Sequence, residues 1–148
     1  LQPWSDARRF EGHEFHPGLR LALGAACDYA LAVDPARIAR QNARVRQRLA
    51  QALQERFGWQ PLEAGLPDRS ALLTYRLPEA FGDGAAFVRR LADAGVHASF
   101  VGPQHARWAL EAAGLPGVLR LTPHYLTDED EIARLVEAIE TTNPRVHR

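Results

Sequence analysis

The chain has 148 residues, of which 46% are hydrophobic and 24% are charged, as in an average globular domain. This composition excludes a disordered tail, a coiled coil and a collagen-like repeat. The 18 basic and 18 acidic residues balance, so no net charge attracts the chain to nucleic acid or to an anionic membrane.

A single cysteine, Cys27, excludes an internal disulfide and suits a reducing compartment. No apolar run approaches the roughly 18 residues of a membrane-spanning helix, so we expect a cytoplasmic protein without a membrane partner. All 18 basic residues are arginine, and methionine is absent. Because an initiator methionine is normally removed only before a small residue, and Leu1 is large, we expect the chain to be a piece of a longer polypeptide.

The first half of the chain predicts two helices. Between about residues 18 and 33, apolar residues recur at helical spacing. Asp34 and Pro35 then predict a new helix, with the aspartate as its N-cap and the proline at the first helical position. This second helix carries one apolar stripe and should end at Gly58. The stripe consists of Ile38, Val45, Leu49, Leu53 and Phe57.

The second half predicts strands that alternate with helices. The predicted strands cover residues 70–77, 96–101 and 117–122, and helices cover residues 83–94 and 104–113. A final helix has Thr127 as its predicted N-cap, with Asp130 three residues further on. This order of elements predicts a single α+β domain. The apolar faces of the predicted helices are Phe87, Val88 and Leu91 in the first, and Ile132, Leu135, Val136 and Ile139 in the last.

Two short patterns suggest chemistry but have simpler interpretations. His13 and His16 are three residues apart, whereas protease-type zinc helices need histidines four apart, and Pro17 follows at once. A loop with two surface histidines is therefore favoured. Cys27 lies among alanines in a predicted helix, which favours a small buried core residue over a nucleophile. The usual hydrolase and nucleotide-binding signatures are absent.

The second helix also carries an arginine stripe along one face. The stripe consists of Arg37, Arg40, Arg44 and Arg48. Such a stripe could bind RNA or an acidic partner. The last predicted helix is rich in acids, however, and the net charge is zero. These two features favour a stripe that is solvated or paired within the chain.

Arg120 lies in the middle of a short apolar strand. Leu119 and Leu121 should point to one face of that strand and Arg120 to the other. A guanidinium in apolar surroundings is costly unless an anion meets it, and its planar fork suits a carboxylate. The alternative is a structural ion pair with Glu14 or Asp28. The residues alone leave both possibilities open.

Two segments resemble one known family. Arg120-Leu-Thr-Pro-His-Tyr-Leu-Thr-Asp-Glu-Asp-Glu-Ile132 resembles the C-terminal signature of class V aminotransferases. These are fold-type I pyridoxal-phosphate enzymes that include cysteine desulfurases, epimerase-like proteins and C–S lyases. Arg8-Arg9-Phe10-Glu11-Gly12-His13-Glu14-Phe15 resembles the family's segment before the helix that joins its large and small domains, and residues 21–31 resemble that helix.

The resemblance implies an α+β small domain with an antiparallel or mixed sheet of about three to four strands, covered by helices and preceded by a long linking helix. Residues 1–33 would form the linker segment and interdomain helix, and residues 34–148 the C-terminal small domain. The family's Schiff-base lysine lies upstream, and this chain has no lysine. The chain alone is therefore expected to be inactive. The full-length protein would be a homodimeric transaminase, lyase or epimerase that acts on an amino acid with pyridoxal 5'-phosphate.

The resemblance also implies roles for individual residues. Arg120 occupies the place of the arginine that binds the substrate's α-carboxylate. Gly12 and His13 occupy the place of a threonine that reaches the partner subunit's cofactor phosphate, so the Gly12 N–H or the His13 ring would have to replace its hydroxyl. Leu126 replaces the usual asparagine. Residues 102–117, where desulfurases carry a nucleophilic cysteine, contain none, which argues against desulfurase chemistry by that route.

Two other hypotheses follow from the sequence. The chain could be a stand-alone interaction module that kept the fold without the chemistry, or the arginine stripe could bind nucleic acid. A lysine-bearing domain upstream in the reading frame would separate the enzyme from the module. Binding that falls steeply with salt would indicate nucleic acid.

Overall fold

The computed structural model describes residues 4–10, 16–65 and 70–142. Its elements, in chain order, are α1 (Pro17–Val33), α2 (Pro35–Phe57), β1 (Leu73–Tyr75), α3 (Gly84–Asp93), β2 (Ser99–Val101), α4 (Pro103–Ala113), β3 (Val118–Leu121) and α5 (Glu129–Thr141). Short 3-10 helices cover Ala7–Phe10 and Glu79–Phe81. The chain divides into two compact units, Leu1–Arg37 and Ile38–Arg148. The division into a linker and a small domain stays a prediction.

Helix α1 forms most of the first unit and buries none of its own side chains. Large apolar residues on it are well exposed, including Leu21 at 77% and Leu19 at 69%. Cys27 is exposed as well, so the prediction of a buried core cysteine is wrong. The spacing of apolar residues along a helix shows which face of the helix they share. It does not show whether another element packs against that face and buries them. None of the helices that the structure describes is long and apolar enough to cross a membrane.

The junction between α1 and α2 confirms the predicted start at Asp34 and Pro35. The Asp34 carboxylate accepts a hydrogen bond from the Ala36 N–H at 2.9 Å, which satisfies one free donor of the first turn. The Asp34 backbone is in the left-handed region, with φ at 76°, a conformation that aspartate tolerates better than most residues. At the other end, Gly58 (φ 71°) ends α2 as predicted.

The sheet has three strands in the order β1-β3-β2, and β3 is antiparallel to both neighbours. All three predicted strands are present, but each is shorter than predicted. A strand needs a partner to hydrogen-bond with, and β1 and β2 pair with only three residues each of β3. The fold is therefore α+β with a small antiparallel sheet, in line with the predicted class.

The main core joins one face of this sheet to α2, α3 and α5. It confirms the predicted apolar stripes except at Ile38, because the other predicted inward residues of the three helices belong to this cluster or pack against it. Ile38 is half-buried and lies outside the cluster. The most buried members are Leu53, Leu73, Tyr75, Phe87, Leu91, Leu119 and Ile139. A smaller cluster near α4 contains Leu110, Leu115 and Val118, with Val101 and Ala106 packed against it.

Helix α5 begins one residue later than the sequence predicted. Its N-cap is Asp128, whose carboxylate accepts from the Glu131 N–H at 2.9 Å, while the Glu131 carboxylate accepts from the Asp128 N–H at 3.3 Å. This is a complete capping box, so the prediction of Thr127 with Asp130 is wrong. The Thr127 hydroxyl instead accepts from the His124 N–H at 3.1 Å and closes the turn before the helix.

Candidate functional site

Arg120 lies in β3, the central strand, on the face of the sheet opposite the main core. Its neighbours across the sheet are Thr74 in β1 and Ser99 in β2. Leu119 and Leu121 on either side are buried while Arg120 is exposed, as the two-residue period of a strand requires. The structure thus confirms the predicted orientation of this segment and surrounds the arginine with two hydroxyl residues.

The guanidinium of Arg120 keeps most of its hydrogen-bonding capacity. Its Nη2 lies 3.5 Å from the Ser99 Oγ, which is longer than a strong hydrogen bond. Within residues 38–65 and 70–142, no carboxylate forms an ion pair with it. Of the two acids predicted as structural partners, Glu14 lies outside the described residues and Asp28 belongs to the other compact unit.

Thr74, beside Arg120, is bound to the turn that follows α2. Its backbone N–H donates to the Glu63 carboxylate at 3.1 Å, its hydroxyl donates to the other carboxylate oxygen, and its carbonyl accepts from the Leu62 N–H at 2.9 Å. These bonds cover the outer edge of β1, where unpaired backbone groups would otherwise be exposed. They also occupy the Glu63 carboxylate.

The segment after Arg120 forms a tight turn into α5. The rings of His124 and Tyr125 lie 4.2 Å apart between centroids, and the His124 carbonyl accepts from the Thr127 N–H at 2.8 Å. A cavity of about 260 Å³ lies beside this turn. It is lined by both polar and apolar groups, among them His97, Thr122, Thr127, Glu131 and Arg134.

Two solved structures share this fold. The apo cysteine desulfurase of Thermococcus onnurineus NA1 aligns with 93% of this chain, at a TM-score of 0.77 and 20% sequence identity. The cysteine desulfurase CsdA of Escherichia coli, in an S-sulfonic acid form, aligns with 88% of it, at a TM-score of 0.72 and 20% identity. The chain has the fold of part of a cysteine desulfurase. The resemblance to class V aminotransferases is confirmed at the level of fold.

The chain spans about a third of the length of these two cysteine desulfurases, 34% of one and 32% of the other. No protein-family model and no curated protein sequence matches it. At 20% identity, the comparison shows how the helices and strands are arranged, but it does not show which reaction the protein catalyses.

The structure does not describe the residues that were predicted to reach a cofactor. Gly12 and His13 lie outside the described residues, and the chain has no lysine that could hold pyridoxal phosphate covalently. The predicted contacts of Gly12 and His13 with the cofactor stay a prediction.

His16, the second histidine of the pattern for which a zinc site was not favoured, is the N-cap of α1. Its Nδ1 accepts from the Leu19 N–H at 3.3 Å. In the part of the chain that the structure describes, no group of three metal-ligating side chains is assembled.

The arginine stripe of α2 is partly paired within the chain. Arg48 forms an ion pair with Glu129 of α5, and Arg56, further along α2, forms one with Glu140. These pairs follow the predicted compensation between the two helices, and they leave less charge for an RNA ligand.

Sequence reasoning missed Arg46, which is buried on the same helix. The apolar stripe itself held a signal, since Arg46 follows Val45 directly and precedes Leu49 by three residues. It therefore lies on the edge of the inward face of the helix.

Proposed function

We propose that this chain is the C-terminal small domain of a pyridoxal-phosphate enzyme of the class V aminotransferase family that acts on an amino acid. In this proposal Arg120 binds the α-carboxylate of the substrate. The observation that carries it is the position of Arg120: a guanidinium on the open face of the central strand, with a serine hydroxyl beside it and no ion pair within its own described unit.

The chemistry of Arg120 suits a carboxylate. Two parallel N–H donors can meet both carboxylate oxygens, which fixes the orientation of the ligand as well as its charge. The Ser99 hydroxyl on β2 would help to fix the position of the guanidinium. The pairing of β3 with β1 and β2 would fix the backbone of Arg120. An arginine on a rigid central strand positions a substrate more accurately than one on a loop.

The shared fold does not lead us to propose cysteine desulfuration. Residues 102–117 contain no cysteine, and most of this segment is helix α4, which packs through Leu110 against the smaller core cluster. Cys27 lies on α1, in the other compact unit. Transamination, elimination and epimerisation stay open, because residues outside this chain would select among them.

The exposure of α1 supports a larger protein around this chain. A helix that is apolar on all sides is normally buried, yet the leucines of α1 are largely exposed. We propose that α1 is the interdomain helix and packs against the rest of the protein in a homodimer. The alternative is a stand-alone interaction module. A lysine-bearing large domain in the same reading frame supports the enzyme, and its absence supports the module.

The test of the proposed role is Arg120→Lys in the full-length protein. A lysine keeps the positive charge but loses the planar fork, so kcat/KM for the amino acid should fall about ten- to hundredfold, which corresponds to about 1.5–3 kcal/mol. The melting temperature should stay close to the original value. Arg89→Lys, at an exposed position on α3, is the matched control and should change neither quantity. Unchanged turnover together with a lower melting temperature would show that Arg120 is structural.

A further inference from the structure

Two hydroxyl groups flank Arg120 on the face of the sheet opposite the main core. Thr74 of β1 and Ser99 of β2 are its partners in the strand register. Residues directly opposite each other on antiparallel strands point to the same face, with their Cβ atoms about 4.5–5.5 Å apart. Both hydroxyls therefore lie close to any small ligand that the Arg120 guanidinium binds.

The Thr74 hydroxyl donates its proton to another residue. A hydroxyl has one proton to donate and two lone pairs that accept. The Thr74 hydroxyl donates to the Glu63 carboxylate, and the Thr74 backbone N–H donates to the other carboxylate oxygen at 3.1 Å. The hydroxyl can then only accept further hydrogen bonds. A ligand carboxylate is itself an acceptor, so Thr74 is not suited to bind it.

The Ser99 hydroxyl differs from that of Thr74, because its proton is available. It accepts one hydrogen bond, from the Arg120 Nη2 at 3.5 Å. No residue in the described part of the chain accepts the Ser99 proton. Ser99 is only half-buried, so a ligand can reach it. An available O–H donor thus lies directly beside the N–H donors of the guanidinium.

We propose that Ser99 is a second ligand for the α-carboxylate of the amino-acid substrate. This inference rests on the function proposed for Arg120. The guanidinium would donate two parallel N–H groups to the carboxylate, and the Ser99 hydroxyl would donate a third hydrogen bond to the oxygen nearest Nη2. A charged acceptor forms stronger hydrogen bonds than a neutral one. The third donor would therefore increase the preference for a carboxylate over a carboxamide.

Calorimetric titration of the full-length protein with L-alanine and with L-alaninamide tests this role. Both probes have an α-amine and a small methyl side chain, but only L-alanine has the α-carboxylate. Ser99→Ala should raise the dissociation constant of L-alanine about tenfold, as expected for one hydrogen bond to a charged group. It should change that of L-alaninamide by less than about twofold, because the acceptor is then uncharged.

Two further variants show whether the donated proton is responsible. Ser99→Thr keeps the hydroxyl at a strand position that suits threonine, and should restore the affinity for L-alanine. Thr74→Val is the matched control, because it removes the other flanking hydroxyl while the backbone N–H still binds Glu63. It should leave the affinity for L-alanine unchanged. A loss in Thr74→Val as large as that in Ser99→Ala would contradict the distinction between the two hydroxyls.

The double variant with Arg120→Lys separates a direct ligand from a residue that acts only through the guanidinium. Lysine retains the charge and leaves the serine donor in place, so adding Ser99→Ala should weaken L-alanine binding further. No further loss would overturn the proposal, as would an equal loss of affinity for L-alaninamide in Ser99→Ala.

The same titrations distinguish failure of this inference from failure of the proposed function. If Arg120→Lys weakens L-alanine binding and Ser99→Ala does not, Ser99 is not a ligand and the role of Arg120 stands. If Arg120→Lys binds L-alanine as well as the original protein does, or the original protein does not bind it, the function proposed for Arg120 is contradicted together with this inference.

Discussion

At the scale of single residues, Tyr75 links burial to pH. Its phenol is 1% exposed, and burial together with the charge of Glu63 raises its pKa above the ordinary value of 10.0. In the unfolded chain the same phenol ionises at the ordinary value. Above about pH 10 the unfolded state therefore loses this proton before the folded state does, and stability falls as the pH rises. Well below that pH the phenol is protonated in both states, so its contribution to the free energy of unfolding does not change with pH.

Tyr75→Phe should remove this pH dependence. At neutral pH, the free energy of unfolding should rise by about 1 kcal/mol, because the substitution removes a buried hydroxyl that has no partner among the described residues. Above pH 10 it should fall less steeply than in the original chain. Denaturant unfolding at neutral and alkaline pH measures both, and the absence of lysine keeps the alkaline titration simple. Tyr29→Phe, on exposed α1, is the control. Equal slopes in the original chain and in Tyr75→Phe would refute the prediction.

At the scale of elements, the start of α5 depends on one carboxylate. Asp128→Ala removes the side chain that accepts from the Glu131 N–H and should destabilise the domain by about 1 kcal/mol. Asp130→Ala, an acid in the same first turn that takes no part in the capping box, should cost clearly less. Chemical denaturation of the two variants distinguishes the cap observed here from the one that the sequence alone predicted. A larger loss in Asp130→Ala would favour the latter.

At the scale of the whole molecule, the absence of lysine limits what the chain can do alone. A Schiff base with pyridoxal phosphate needs a primary amine, and this chain offers only its terminal α-amine, because all 18 basic residues are arginine. After incubation with the cofactor and reduction with borohydride, mass spectrometry should find no modified internal peptide. A modified internal residue would contradict the expectation that the chain lacks the attachment site.

The sequence by itself determined the elements whose signals are local. Helix periodicity, the Asp34-Pro35 start and the stop at Gly58 each depend on residues within a few positions of one another, and all three are confirmed. The alternation around Arg120 is equally local, so the exposed orientation of its side chain could be predicted. The two ordered motifs also led to the fold that the cysteine desulfurase structures share with this chain.

Only the tertiary structure decided which surfaces are covered and which groups are paired. Cys27 and Arg46 both lie on helices, yet the cysteine is exposed and the arginine is buried, the reverse of what their chemical types suggest. The length of each strand and the place of Ser99 beside Arg120 depend on pairing between segments about twenty residues apart or more. Such long-range contacts produce no periodic pattern in the sequence, because they depend on which elements the fold brings together.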